Sequence, residues 1–139
     1  METSDIPPVL LKATNPKDAL GSDRLPLNLI PPISKAAMSL AMLEGALKYG
    51  PYNWREAGVR TSIYISAIHR HLDKFADGED TDPKTGVHHL ASIMASCAIV
   101  LDSIHAGNLT DDRPRAVATG QCMDNMAAHV KKLKEMFAK

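Results

Sequence analysis

Aromatic residues are scarce in this chain: three tyrosines, two phenylalanines and one tryptophan in 139 residues. Cysteine is scarcer still. Cys97 and Cys122 are too few and too isolated for a disulfide framework or a zinc cluster, so two free thiols in a reducing cytosol are expected. An excess of either charge is also missing, since 16 Lys and Arg balance 16 Asp and Glu. A chain with no positive excess is a poor candidate for nonspecific nucleic-acid binding. No apolar run approaches the length of about 18 residues that suggests a membrane span. The N-terminal METSDIPPVL lacks the basic region and apolar core of a secretory signal, so a cytoplasmic protein is expected. What is present, 45% hydrophobic and 23% charged residues, is ordinary globular composition, and the length suits one domain with a real core.

Proline is plentiful only at one end. Pro7, Pro8, Pro16, Pro26, Pro31 and Pro32 fall within residues 1–32, which are predicted to form an extended N-terminal arm. Leu25, Leu27, Leu29 and Ile30 imply that its second half packs onto something. Residues 33–107 read as a helical core. A first helix is predicted from an N-cap at Ser34 to the stop at Gly50-Pro51. A loop over 50–60 leads to a second helix capped by Thr61 or Ser62, with Ile65, Ile68, Leu72 and Phe75 as its stripe and Gly78 as its end. The acidic loop GEDTDPKTG follows. The third helix, HHLASIMASCAIVLDSIHAG, is apolar around most of its circumference and is predicted to be central. Residues 108–139 comprise a linker, NLTDDRPR, and a last helix from Gln121 to Phe137. Its Val130, Leu133 and Phe137 could dock on the bundle or on a second subunit. With no period-two segment and no repeats, the expected fold is all-α, close to a four-helix bundle.

The few aromatics are concentrated. Tyr49, Tyr52 and Trp54 lie within GALKYGPYNW, residues 45–54, beside Lys48, Asn53 and Arg55. The cations suit phosphates, the rings offer faces for a base, and Asn53 can read a base edge or a sugar hydroxyl. An aromatic cap closing one end of the bundle is the alternative. Glu79, Asp80 and Asp82 are clustered just after a helix carrying Asp73 and Asp77. Hard divalent cations want clustered carboxylate oxygens, although a solvated acidic turn has the same composition. Glu44 is the only acid of the first helix and is either paired with Lys48 one turn on or a ligand. Four of the six histidines fall between residues 69 and 89. Tyr64, Ala67 and His71 share a helix face, Arg70 can grip a phosphate bidentately, and His88 and His89 open the third helix, where free N–H groups favour anions. Together these features suit a nucleotide with a metal-bound polyphosphate.

The blocks NPKDALGSDRLPLNLIPP, EGALKYGPYNWR and AIHRHLDKFADGEDTDPKTGVHHLA, in this order across residues 15–105, resemble the phage dATP/dGTP diphosphohydrolase family. That family is similar to the all-α MazG-like nucleoside triphosphate pyrophosphohydrolases. These use Mg²⁺ or Mn²⁺ held by carboxylates of two helices and assemble as dimers or tetramers. The resemblance implies hydrolysis of dGTP or dATP to the monophosphate and pyrophosphate in phage nucleotide-pool remodelling, with dGMP feeding 2-aminoadenine nucleotide synthesis in some phages. Glu79 and Asp82 match the ExxD element. The ExxE element is absent, because Glu44 stands with Ala41 three residues before it and Leu47 three after; His71 or His89 could substitute.

The implied roles follow. Glu44, Glu79 and Asp82, with Asp73, would hold Mg²⁺, Mn²⁺ or Co²⁺. Lys48, Arg55 and Arg70 would meet the phosphates, with His71 and His89 nearby. Tyr49, Asn53 and Trp54 would hold the purine. A homodimer or homotetramer is expected, with neither nucleic acid nor membrane as a partner. Two rivals stand beside this reading. One is a histidine–aspartate phosphohydrolase releasing triphosphate, for which His71, His88, His89 and Asp102 supply residue types but no adjacent His-Asp pair. The other is a non-enzymatic nucleotide-binding or interaction module.

Overall fold

Prolines and glycines set the element boundaries. The computed structural model describes residues 15–139; the first part of the predicted arm, residues 1–14, lies outside the described residues. The rest of the arm is not simply extended. Asn15 caps a short helix α1, Pro16–Gly21, accepting from the Lys17 N–H at 3.0 Å. Pro16 sits where its preset φ and missing N–H cost nothing. A 3₁₀ turn follows at Leu27–Leu29. Among the described residues the arm's apolar side chains from Leu20 to Ile30 find no cover, and Leu25 is 82% exposed.

Helix α2, Pro32–Tyr49, begins two residues before the predicted cap, because Pro32 takes the first helical position and Ser34 falls inside the first turn. Gly50, at φ 93°, ends it as expected. The predicted loop over 50–60 contains a further short helix, α3, Asn53–Ala57. It is entered through Tyr52 in a left-handed conformation, φ 56°, uncommon for a residue with a side chain. Strand β1, Val59–Arg60, leads into α4, Thr61–Ala76; α5 spans His89–Ala106 and β2 Leu109–Thr110. β1 and β2 pair in parallel, Val59 with Leu109 and Arg60 with Thr110. Gly58 lets these segments close up: a Cβ there would lie 3.2 Å from the Asn108 carbonyl oxygen, and its φ is 79°.

The fold is all-α, with α5 at its centre and α2 and α4 packed on it. The core is made of small residues, Ala41, Val87, Ala91 and Ala95, with Ala37, Met38, Met42 and Met94 against them. Small side chains bring helices close but bury little area. α5 is therefore not covered all round: Leu101 and Ile104 stay exposed. By length and composition α5 is apolar enough to cross a membrane, contrary to the expectation that no run reaches that length. Two helices pack on it, however, and Asp102 near its C-terminal end binds the α3 segment, as befits a core helix. The last helix, α6, Thr119–Met136, buries none of its residues.

The predicted caps Thr61 and Ser62 do not cap α4. Asp112 does so across the fold, accepting from the Ser62 N–H at 2.8 Å and from the Ser62 hydroxyl. A carboxylate there satisfies a free amide and faces the positive end of the helix dipole. Residues 108–112 are thus a clamp, not a free linker.

Candidate functional site

Helices α2, α4 and α5 and the start of α3 enclose a cavity of about 190 Å³. α2 contributes Glu44, Lys48 and Tyr49 from its last turns, α3 contributes Asn53 and Trp54, and α4 contributes Tyr64 and His71, two turns apart. The aromatic loop and the histidine cluster, distant in sequence, therefore meet. A neighbouring cavity of about 260 Å³ shares Tyr49, Asn53, Tyr64 and Ser96 as its walls. The two together reach the size at which small-molecule sites begin, about 300 Å³. A larger groove of about 430 Å³ along α2, lined by residues such as Met38, Met42, Leu43 and Tyr52, is mostly apolar and gathers no comparable polar set. Sequence reasoning did not assign Ser92 and Ser96 to the site. They line it from α5, and the available signal was two serines one turn apart on an otherwise apolar helix.

Trp54 is an anchor. It is 7% exposed, and its Nε1–H donates to Asp102 Oδ2 at 2.7 Å. Arg55 grips the same carboxylate with Nε at 2.9 Å and Nη2 at 2.8 Å. Asn108 Nδ2 donates to the Trp54 and Arg55 carbonyls at 2.6 and 3.0 Å. The Tyr52 ring stacks over the Arg55 guanidinium, 4.7 Å away, and leans on Trp54. Arg55, expected on a phosphate, is thus held by Asp102, and the Trp54 indole offers the cavity only a wall. Sequence reasoning did not pair Asp102 or Asn108 with this loop, because their partners lie 47 to 54 residues away.

The hydrogen bonds from Arg55, then Trp54, hold the Asp102 carboxyl down to about 2. A carboxyl depressed by folding stabilises the protein above its unfolded value, near 4, and that contribution disappears as pH falls through about 2. Acid titration followed by the emission of Trp54, the sole tryptophan, should show a transition in this window. In Asp102→Asn this transition should be absent, with stability reduced at neutral pH. An unchanged acid transition in that variant would contradict the assignment.

The acidic loop folds onto the start of α5. Glu79 Oε1 lies 2.7 Å from His89 Nε2, and His89 is fully buried. His89 Nδ1 lies 2.9 Å from His71 Nδ1. Asp82 organises its own turn, accepting from the Lys84 and Thr85 N–H groups at 2.8 and 3.0 Å, and these bonds hold its carboxyl below the usual range. His88 caps α5 through the Leu90 N–H. Asp73 and Arg70 are exposed on α4, and neither lines this cavity. Glu44 is loosely paired with Lys48 at 3.8 Å. α2 meets the acidic loop through Thr85, Gly86 and Val87, which share a shallow cavity with Glu44.

Among the described residues no three His, Cys, Asp or Glu side chains converge as a metal-binding group, so Glu44, Asp73, Glu79 and Asp82 are not brought together within one chain. Glu79 is engaged by His89 and Asp82 by its turn. The donors that do reach the cavity are one carboxylate, Glu44, and one imidazole, His71. The Glu44 carboxylate fits a Mg²⁺ ion carried in on a polyphosphate, since Mg²⁺ commonly takes one or two carboxylates plus phosphate oxygens and water, whereas an imidazole is not a ligand that Mg²⁺ favours.

Residues 14–113 match the family model described as dATP/dGTP diphosphohydrolase, N-terminal. The chain belongs to this family. Every cavity residue lies within the dATP/dGTP diphosphohydrolase match, as does the 108–112 clamp, whereas α6 lies beyond it. A protein of Salmonella phage PMBT28, named dATP/dGTP diphosphohydrolase, is 28% identical over 90 residues, 65% of this chain. That stretch is 30% of the phage protein's length. No solved structure matches the chain.

Proposed function

We propose that the protein hydrolyses a purine deoxynucleoside triphosphate, dGTP or dATP, to the monophosphate and pyrophosphate. The observation that carries this reading is the meeting of Lys48, Tyr49 and Asn53 with Glu44 and His71 in one cavity. Lys48 supplies a mobile positive charge for phosphate oxygens. Tyr49, 70% exposed, has a free ring face for a base. Asn53 can donate to and accept from a purine edge or a sugar hydroxyl. Glu44 is the carboxylate available to a divalent cation, Mg²⁺, Mn²⁺ or Co²⁺, arriving with the triphosphate; when bound, that ion neutralises phosphate charge and polarises the phosphorus. Membership of a family described as dATP/dGTP diphosphohydrolase supports the substrate class. The phage relative's name, dATP/dGTP diphosphohydrolase, supports the same substrate class. We propose in addition a role in phage nucleotide-pool remodelling, with dGMP as a precursor for 2-aminoadenine nucleotides.

The test is incubation with each dNTP and Mg²⁺, Mn²⁺ or Co²⁺, followed by separation of products. dGTP or dATP should give monophosphate and pyrophosphate. Glu44→Gln should lower kcat/KM about 10²-fold, the scale of losing one electrostatic contact to the transition state. Release of triphosphate would replace this reading with the histidine–aspartate one. Tight nucleotide binding without turnover under any metal would leave a binding module.

A further inference from the structure

His89 is fully buried and has both ring nitrogens engaged, each by a titratable side chain. One nitrogen meets Glu79 at 2.7 Å and the other meets His71 at 2.9 Å. Elements remote from one another are joined by this line: the acidic loop, the start of α5 and the middle of α4. It ends at the cavity, because His71 lines the wall opposite Glu44 and Lys48 on α2. Among the described residues no hydrogen bond engages His71 Nε2.

The chemistry of the three groups fixes the direction of the line. A carboxylate can only accept, so His89 donates its Nε2–H to Glu79. A neutral imidazole has one donor and one acceptor, so His89 Nδ1 is then the acceptor, and His71 donates its Nδ1–H to it. His71 is thereby left with an unprotonated Nε2.

We propose that Glu79 and His89 are positioning residues that set the tautomer of His71, and that His71 Nε2 is the general base that takes a proton from the attacking water. This deepens the pyrophosphohydrolase reading and rests on it. In the step, water oxygen bonds to the α-phosphorus as its proton passes to His71 Nε2. The bond from that phosphorus to the bridging oxygen breaks, and pyrophosphate leaves with the electron pair. The imidazolium so formed is stabilised through its Nδ1–H by His89, in turn oriented by Glu79. The proton then returns to solvent, and nothing is oxidised or reduced. Burial, then the neighbouring His89, Lys74 and Arg70, hold the His71 imidazole below its ordinary value, with Asp82 opposing.

The test has a spectroscopic arm and a kinetic arm. Nitrogen-15 NMR of the imidazoles in the full chain should show His71 protonated at Nδ1 and His89 at Nε2; the reverse pattern overturns the relay. In the kinetic arm, His71→Ala should lose about 10²–10⁴-fold in kcat, while the Kd for the purine dNTP stays within about threefold. Glu79→Gln keeps the shape and a hydrogen bond, but its amide can donate to His89 and invert both tautomers. It should lower kcat at least about tenfold at unchanged Tm, a loss that a purely structural contact would not produce. Full activity in either variant overturns the proposal. If the wild-type protein hydrolyses no purine dNTP, the pyrophosphohydrolase reading and the role as its base fall together. The tautomers then decide whether the relay itself stands.

Discussion

Trp54→Ala should cost about 3–5 kcal/mol of folding stability, the range for truncating a large buried aromatic. The indole is one of the few sizeable buried side chains, and its N–H is bonded to Asp102. The other buried hydrophobics among the described residues are three alanines and two valines. A domain of ordinary stability holds about 5–15 kcal/mol in total, so a loss on this scale should bring the urea midpoint sharply down. Trp54→Phe keeps an aromatic ring but removes the pyrrole portion with its donor, and should cost about 1–3 kcal/mol. The measurement is urea unfolding followed by circular dichroism, because the substitution removes the fluorophore. An Ala variant with unchanged stability and a raised KM would instead make Trp54 a base-stacking surface.

The protein should sediment as a dimer or tetramer, at twice its 15.1 kDa mass or more. Leu40, Leu43 and Leu47 on α2 and Leu101 and Ile104 on α5 are all more than half exposed. On α6 and its C-cap, Met123, Met126, Val130, Leu133 and Phe137 are exposed at alternating spacings of three and four. That is the spacing of a coiled-coil seam, narrower than the face a helix turns toward a globular core. Apolar surface of this extent on a small chain marks an interaction site, and closed symmetric association of identical copies is the commonest way to cover it. Val130→Lys with Leu133→Lys should shift the species toward the monomer without unfolding α2, α4 or α5. A monomer at micromolar concentration in the unmodified chain, by sedimentation, would refute this.

What could be read from the sequence was local. Gly50 and Gly107 stop helices where expected because a left-handed turn is a property of the residue itself. The apolar periodicity located α2, α4, α5 and α6. The concentration of histidines between 69 and 89 pointed to a cluster, and Tyr64 and His71 do share a cavity wall. Partner choice was not legible. Glu79 could have faced a metal or a solvent shell, and its proximity to His89 depends on how the acidic loop lies across α5. Arg55 was free by composition and is held by Asp102 only because α3 and α5 are brought together. The α4 cap failed for the same reason: Thr61 and Ser62 are good local candidates, but the carboxylate that arrives belongs to residue 112.

That distant cap has a consequence for the order in which the protein takes shape. Ser62 and Asp112 are separated by 50 residues, and Asn108 reaches Trp54 over 54. Closing loops of that length costs entropy before any contact repays it, whereas a helical turn forms from its own neighbours. During synthesis α2 and α4 can coil as soon as they emerge. The Tyr52–Arg55 turn, with its left-handed tyrosine, must wait for Asp102 and Asn108. One wall of the cavity is therefore braced in part by Asn108, chain made after every helix that lines it.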